Sequence, residues 1–176
     1  CEPNSTLSAH SAHWNADMTK LTGGIRTAAG KDEVWVANAD GSGYVQSNFN
    51  DQYGTLEGFF RTPTTIWLSR AYATGRTELF EVPLTLASST MLTNFGASNT
   101  SADGFHFVSP TSKVCYRKQQ SSNSPTGRAY CMNSDLTGEV QVSTINPHNV
   151  VRVSPDGTKV ALGTSGGAGI HVASTS

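Results

Sequence analysis

Val150-Val151-Arg152-Val153-Ser154-Pro155-Asp156-Gly157-Thr158-Lys159-Val160-Ala161-Leu162 reads as two short strands joined by a tight turn. Asp156-Gly157 suits the turn because glycine takes a positive φ without steric cost, and alternating β-branched residues flank it. A step of 45 residues back from Ser154-Pro155 reaches Ser109-Pro110, a step of 47 more reaches Thr62-Pro63, and another 47 reaches Asn15-Ala16. The first copy, His13-Trp14-Asn15-Ala16-Asp17-Met18-Thr19-Lys20-Leu21, keeps the Asp and the Thr-Lys-apolar exit. The third, Phe107-Val108-Ser109-Pro110-Thr111-Ser112-Lys113-Val114, is one residue shorter.

Downstream of each turn a third strand recurs, at Glu33–Val36, Glu78–Val82, Ala129–Met132 and Gly169–Val172. Three of these lead through a polar turn into a fourth apolar alternation, at Tyr44-Val45, Met91-Leu92 and Val140–Val142. Four antiparallel strands repeating at this interval match a propeller blade. The expected fold is therefore all-β, a β-propeller of four antiparallel four-stranded blades in one domain over residues 1–176. The blades are expected at about 9–49, 50–96, 97–144 and 145–176. The fourth lacks an outer strand, and residues 4–8, Asn4-Ser5-Thr6-Leu7-Ser8, offer a replacement. Pairing within one chain closes the ring; pairing between chains gives a larger ring or a filament.

Composition agrees with many short strands: 17 Gly accompany abundant Ser, Thr and Asn. Charged residues make up 14% of the chain at a formal net charge of −1, so no single-sign field favours nucleic acid or anionic lipid. No run approaches the roughly 20 apolar residues of a membrane-spanning helix.

The stretches Val153–Ala161 and Val34-Trp35-Val36-Ala37-Asn38-Ala39-Asp40-Gly41-Ser42-Gly43 resemble WD-repeat-like propellers of the TolB type. Blades of that family carry a Ser-Pro-Asp-Gly turn between the first strands and an Asn-Ala-Asp-Gly-type turn between the third and fourth. In the second copy Thr64 and Thr65 replace the Asp-Gly. The resemblance implies a scaffold, usually six-bladed, found in periplasmic binding proteins and in propeller domains attached to hydrolases and sugar lyases.

Cys115 and Cys131 lie in the second and third strands of the third blade, where antiparallel register can set them opposite as a disulfide, with two buried free thiols as the alternative. Cys1 is a candidate lipid anchor or extra disulfide partner, with an arbitrary start as the plain alternative. Asn4 and Asn99 head Asn-x-Ser/Thr sequons, candidate glycosylation sites. His10, Trp14, Arg61 and His106 share one strand face in the aligned copies and are the candidate channel or ligand face. His13, Phe60, Phe107 and Arg152 share the other, expected to face the core. Asp17, Asp40, Asp135 and Asp156 recur in turns, which accounts for them without a metal. Catalytic, cofactor and metal residues are assigned to none.

Three functions compete: a non-enzymatic secreted, cell-surface or periplasmic scaffold binding protein or glycan; a self-assembling subunit joined by strand complementation; and the propeller part of a hydrolase or polysaccharide lyase.

Overall fold

The structure, a computed structural model, describes residues 8–49, 58–72, 76–95, 101–107, 113–119, 127–164 and 169–176. The chain divides into two compact units, Cys1–Thr93 and Asn94–Ser176. Apart from Phe95, which lies in a 3-10 turn, the regular structure among the described residues is β-strand.

In the first unit, β1 (Ser8–Trp14), β2 (Lys20–Arg26), β3 (Asp32–Asn38) and β4 (Val45–Gln46) form one antiparallel sheet in chain order. A second follows the same order with β5 (Gly58–Phe60), β6 (Thr65–Tyr72), β7 (Arg76–Pro83) and β8 (Thr90–Met91). The second unit holds a four-stranded sheet of β9 (Ser101–Phe107), β10 (Val114–Gln119), β11 (Gly127–Met132) and β12 (Val140–Ser143). Its other sheet has three described strands, β13 (Pro147–Val153), β14 (Lys159–Thr164) and β15 (Ile170–Ser174). The strand expected at 4–8 lies outside the described residues except for Ser8, which opens β1 opposite Arg26.

Within each unit one sheet buries a face against the next. Val34 and Val36 of β3 pack with Phe60, Ile66, Leu68, Phe80 and Val82 of the second sheet. In the second unit, Cys115, Ala129 and Cys131 pack with Val153, Val160 and Leu162. Burial of this kind contributes roughly 1.5–3 kcal/mol per large aliphatic side chain.

The turn quoted above and the Asn-Ala-Asp-Gly turn prove to be one conformation used at two places. Thr19, Ser42, Thr137 and Thr158 each donate a backbone N–H to the carboxylate of the Asp two residues earlier, at 3.1, 2.9, 3.0 and 3.1 Å. The residue between is left-handed: Met18 at φ 56°, Gly41 at 81°, Leu136 at 68° and Gly157 at 71°. A second link ties the two turns of a sheet together, since Ala39 N–H donates to Thr19 O at 2.8 Å and Thr175 N–H to Thr158 O at 3.1 Å. Lys20 Nζ donates to Asn38 Oδ1, and Lys113 Nζ to Asn133 Oδ1, both at 2.7 Å.

Register corrects the grouping of the innermost strands. Trp14 faces Leu21, Phe60 faces Ile66, Phe107 faces Val114 and Val153 faces Val160 across their ladders. Trp14 thus belongs with Phe60 and Phe107 and not with Arg61 and His106. For the second sheet the physical reason is turn length. Residues 61–64 span the β5–β6 connection, against Asn15–Thr19 between β1 and β2, so alignment on Thr62-Pro63 slips by one residue. An irregularity between His10 and Ala12 shifts β1 again, setting His10 opposite Gly24 and His13 opposite Thr22.

Candidate functional site

The four candidate ligand-face residues occupy distinct local settings. His10 stands in β1 opposite Gly24, and His106 in β9 opposite Cys115. Trp14 ends β1 and is 51% exposed. Arg61 lies in the turn after β5, where its N–H donates to Thr65 O at 3.0 Å and its guanidinium sits 5.0 Å over the Trp67 ring. Trp67 Nε1 in turn donates to Glu81 Oε2 at 3.0 Å. His13 and Phe59, at matching ladder positions of the first two sheets, bring their rings to 4.2 Å. Cys1, Asn4 and Asn99 lie outside the described residues.

Two buried carboxylates escaped the sequence reading. Glu33 heads β3 and accepts from Ser47 Oγ and from Phe49 N–H, while Ser47 Oγ accepts from Val34 N–H at 3.0 Å. Glu78 repeats the device in β7: Thr93 Oγ1 donates to Glu78 Oε2 at 2.7 Å and accepts from Leu79 N–H at 2.9 Å. A Glu before an apolar third strand, followed 14 or 15 residues later by Ser or Thr, is the signal that marks both. The hydroxyl replaces a ladder partner where the fourth strand ends, so a buried N–H and a buried carboxylate are satisfied by one side chain.

In the second unit, Cys115 and Cys131 are joined in a disulfide, directly opposite in the β10–β11 ladder with Cα atoms 4.1 Å apart. Beside it the buried Tyr116 donates its hydroxyl to Glu139, which also pairs with Lys118 at 2.8 Å. Burial first, and the Glu139 carboxylate second, push the Tyr116 phenol above its ordinary range. Lys118 Nζ lies 4.9 Å over Phe95 and 5.2 Å over Tyr130, so its charge is held by two ring faces and one carboxylate.

An open cleft of about 400 Å³ lies between β12 and β15, lined by Gln141, Val142, Ser143, Thr144, Ile145 and His171. Gln141 Oε1 accepts from Tyr130 OH at 3.1 Å, and Ser143 Oγ accepts from Ile145 N–H at 3.1 Å. The lining offers amide, hydroxyl and imidazole groups set in a partly apolar wall.

The turn carboxylates are occupied by the turns. Asp17, Asp40 and Asp135 are held below the usual carboxylate range by the hydroxyl two residues on, then by its backbone N–H. Asp156 is drawn down to about 2, by Ser154 Oγ first and then by Thr158. Among the described residues no three His, Cys, Asp or Glu side chains are placed to hold a metal. No helix there is long and apolar enough to cross a membrane.

No family model and no curated protein sequence matches this chain. Solved structures do. A putative TolB from Agrobacterium tumefaciens superposes at TM-score 0.66 with 16% identity, over 88% of this chain and 57% of that one. An oligogalacturonate lyase from Vibrio parahaemolyticus gives 0.68 with 11% identity, over 98% and 52%. The β-propeller domain of the Trilobed protease from Pyrococcus furiosus, described as having an open velcro topology, gives 0.51 with 9% identity, over 93% and 67%. The chain therefore spans about half the length of the TolB and lyase structures. Four antiparallel sheets built on one repeating ladder, together with these superpositions, give the chain a TolB-like β-propeller fold.

Proposed function

We propose that the chain is a non-enzymatic β-propeller scaffold that binds a protein or a glycan in a secreted, cell-surface or periplasmic setting. The observation that carries this reading is the commitment of six acidic groups among the described residues. Glu33, Glu78, Asp17, Asp40, Asp135 and Asp156 all accept from the chain's own backbone or hydroxyls, so they serve the sheet and its turns. The Cys115–Cys131 disulfide supports an oxidising compartment, and the TolB likeness supports a binding role. His10, Trp14, Arg61 and His106 remain candidate ligand residues one by one, the register no longer grouping them on one strand face, with Cys1 as a candidate anchor and Asn4 and Asn99 as candidate glycan acceptors. One four-bladed domain over 1–176 remains the proposed organisation.

Titration calorimetry against neutral oligosaccharides, oligogalacturonate and peptides tests the proposal. Saturable binding with the ligand recovered intact supports it; conversion of oligogalacturonate to an unsaturated product, or peptide cleavage, overturns it in favour of the hydrolase or lyase reading. A second reading, the self-assembling subunit, is favoured by one observation. β15 has no strand on its outer side among the described residues, and it exposes Ile170 and Val172.

A further inference from the structure

The ladders allow a residue-by-residue comparison of what each sheet presents to its successor. Lys20 pairs with Asn38 at one end of the β2–β3 ladder, and Lys159 pairs with Ser174 at the same point of β14–β15. Ile170 therefore occupies the place of Val34, and Val172 that of Val36. By the same register Leu79 and Ala129 match Val34, while Cys131 and the half-buried Glu81 match Val36. Val34, Leu79, Ala129, Val36 and Cys131 are all buried. Ile170 is 79% exposed and Val172 57%. The position of Ile170 is thus buried in the other three sheets and that of Val172 in two of them, and both are open in β15, on a strand whose outer edge carries no described partner.

The covering half of such a contact is also defined by the repeat. Where one sheet packs on the next, the receiving side consists of Phe60, Ile66, Leu68, Phe80 and Val82 in the first unit. In the second it consists of Val153, Val160 and Leu162, with Ala173 beside them. The first sheet carries the same set as Trp14, Leu21, Gly23, Trp35 and Ala37. Trp14 is 51% exposed although its counterparts Phe60 and Val153 are buried, and Trp35 stacks on the exposed Tyr44 at 6.2 Å. Side-chain sizes complement one another as well. The first-unit contact contains Val34 with Leu68, and the second-unit contact contains Ala129 with Leu162. The larger Ile170 would then meet the buried Gly23, which carries no side chain where the second and fourth sheets have Leu68 and Leu162 and the third has Tyr116. Volume is exchanged across the contact and not added to it.

We infer that the Ile170/Val172 face of one copy packs against the Trp14/Trp35 face of a second copy, continuing the sheet-on-sheet contact of the repeat from molecule to molecule. This rests on the assembly reading and names its surface. The two faces differ, so the association is head-to-tail: it closes as a ring if the rotation permits and extends as a filament if it does not. An apolar contact of this kind withstands salt, unlike one built on surface charges.

Sedimentation velocity on the 176-residue chain, alone and as Ile170→Asp and Trp14→Asp variants, tests the inference. The unaltered chain should self-associate. Each variant should do so at least about tenfold more weakly, because a carboxylate would be buried in an apolar contact. An equimolar mixture of the two should form a heterodimer that grows no further, since each variant retains the face that the other lacks. Should Trp14→Asp fail to fold, as judged by circular dichroism, Ile170→Asp carries the test, its native side chain standing mostly in solvent. An unaltered chain that stays at 18.6 kDa at every concentration overturns both this inference and the assembly reading. Association that both variants leave unchanged overturns this surface alone and leaves strand complementation standing.

Discussion

Met18 and Leu136 hold left-handed dihedrals, at φ 56° and 68°, where the matching turns have Gly41 and Gly157. A side chain there costs roughly 1–2 kcal/mol through its clash with the following carbonyl. Met18 is 68% exposed, so little packing offsets that cost. Met18→Gly should raise stability by about 0.5–1 kcal/mol, read as a higher urea midpoint at unchanged slope. Asp156 gives a pH signature at the same scale. Its folded pKa lies at about 2, below the ordinary 3.8, so its contribution is full above 3.8 and fades as pH falls toward about 2. Thermal melts across that window should show the loss in the unaltered chain and a shallower slope in Asp156→Asn. None of these turn acids required the structure to be seen: the spacing of Asp before Thr or Ser already pointed to side chains bonding their own backbone. The left-handed Met18 and Leu136 were hidden, because neither residue type advertises that conformation.

At the scale of the strand, Ser47 and Thr93 end the fourth strands of the first two sheets by serving one buried N–H and one buried carboxylate each. Ser47→Ala leaves Val34 N–H without its acceptor and removes a donor from Glu33, which should cost about 1–3 kcal/mol in denaturant unfolding. An unchanged midpoint would mean that water or a shifted backbone fills the place. Strand existence and order were legible in the sequence because alternation and turn chemistry coincide at nearly every element, as at Glu33–Val36 and Val160–Leu162. Register was not. A connection one residue shorter at 61–64 and the irregularity between His10 and Ala12 each invert which face a side chain joins, and neither leaves a mark in composition. The face shared by His10, Trp14, Arg61 and His106 in the aligned sequence therefore dissolves, and Trp14 moves to the packing side with Phe60.

For the whole molecule, the account turns on one regularity: within each unit one sheet buries the same ladder positions against the next, while Trp14 in the first described sheet and Ile170 and Val172 in the last stand exposed at such positions. Sequence spacing exposed the repeat but not which of its surfaces stay open, because exposure depends on neighbours that periodicity cannot supply. Backbone hydrogen exchange, followed by mass spectrometry as a function of protein concentration, tests this most directly. The account predicts that protection of Ile170–Ser174 and of the segment around Trp14 rises together with concentration, while β3 and β7, already covered within the chain, keep the same protection throughout. Protection of β15 that stays independent of concentration, or that rises without any change around Trp14, would contradict it.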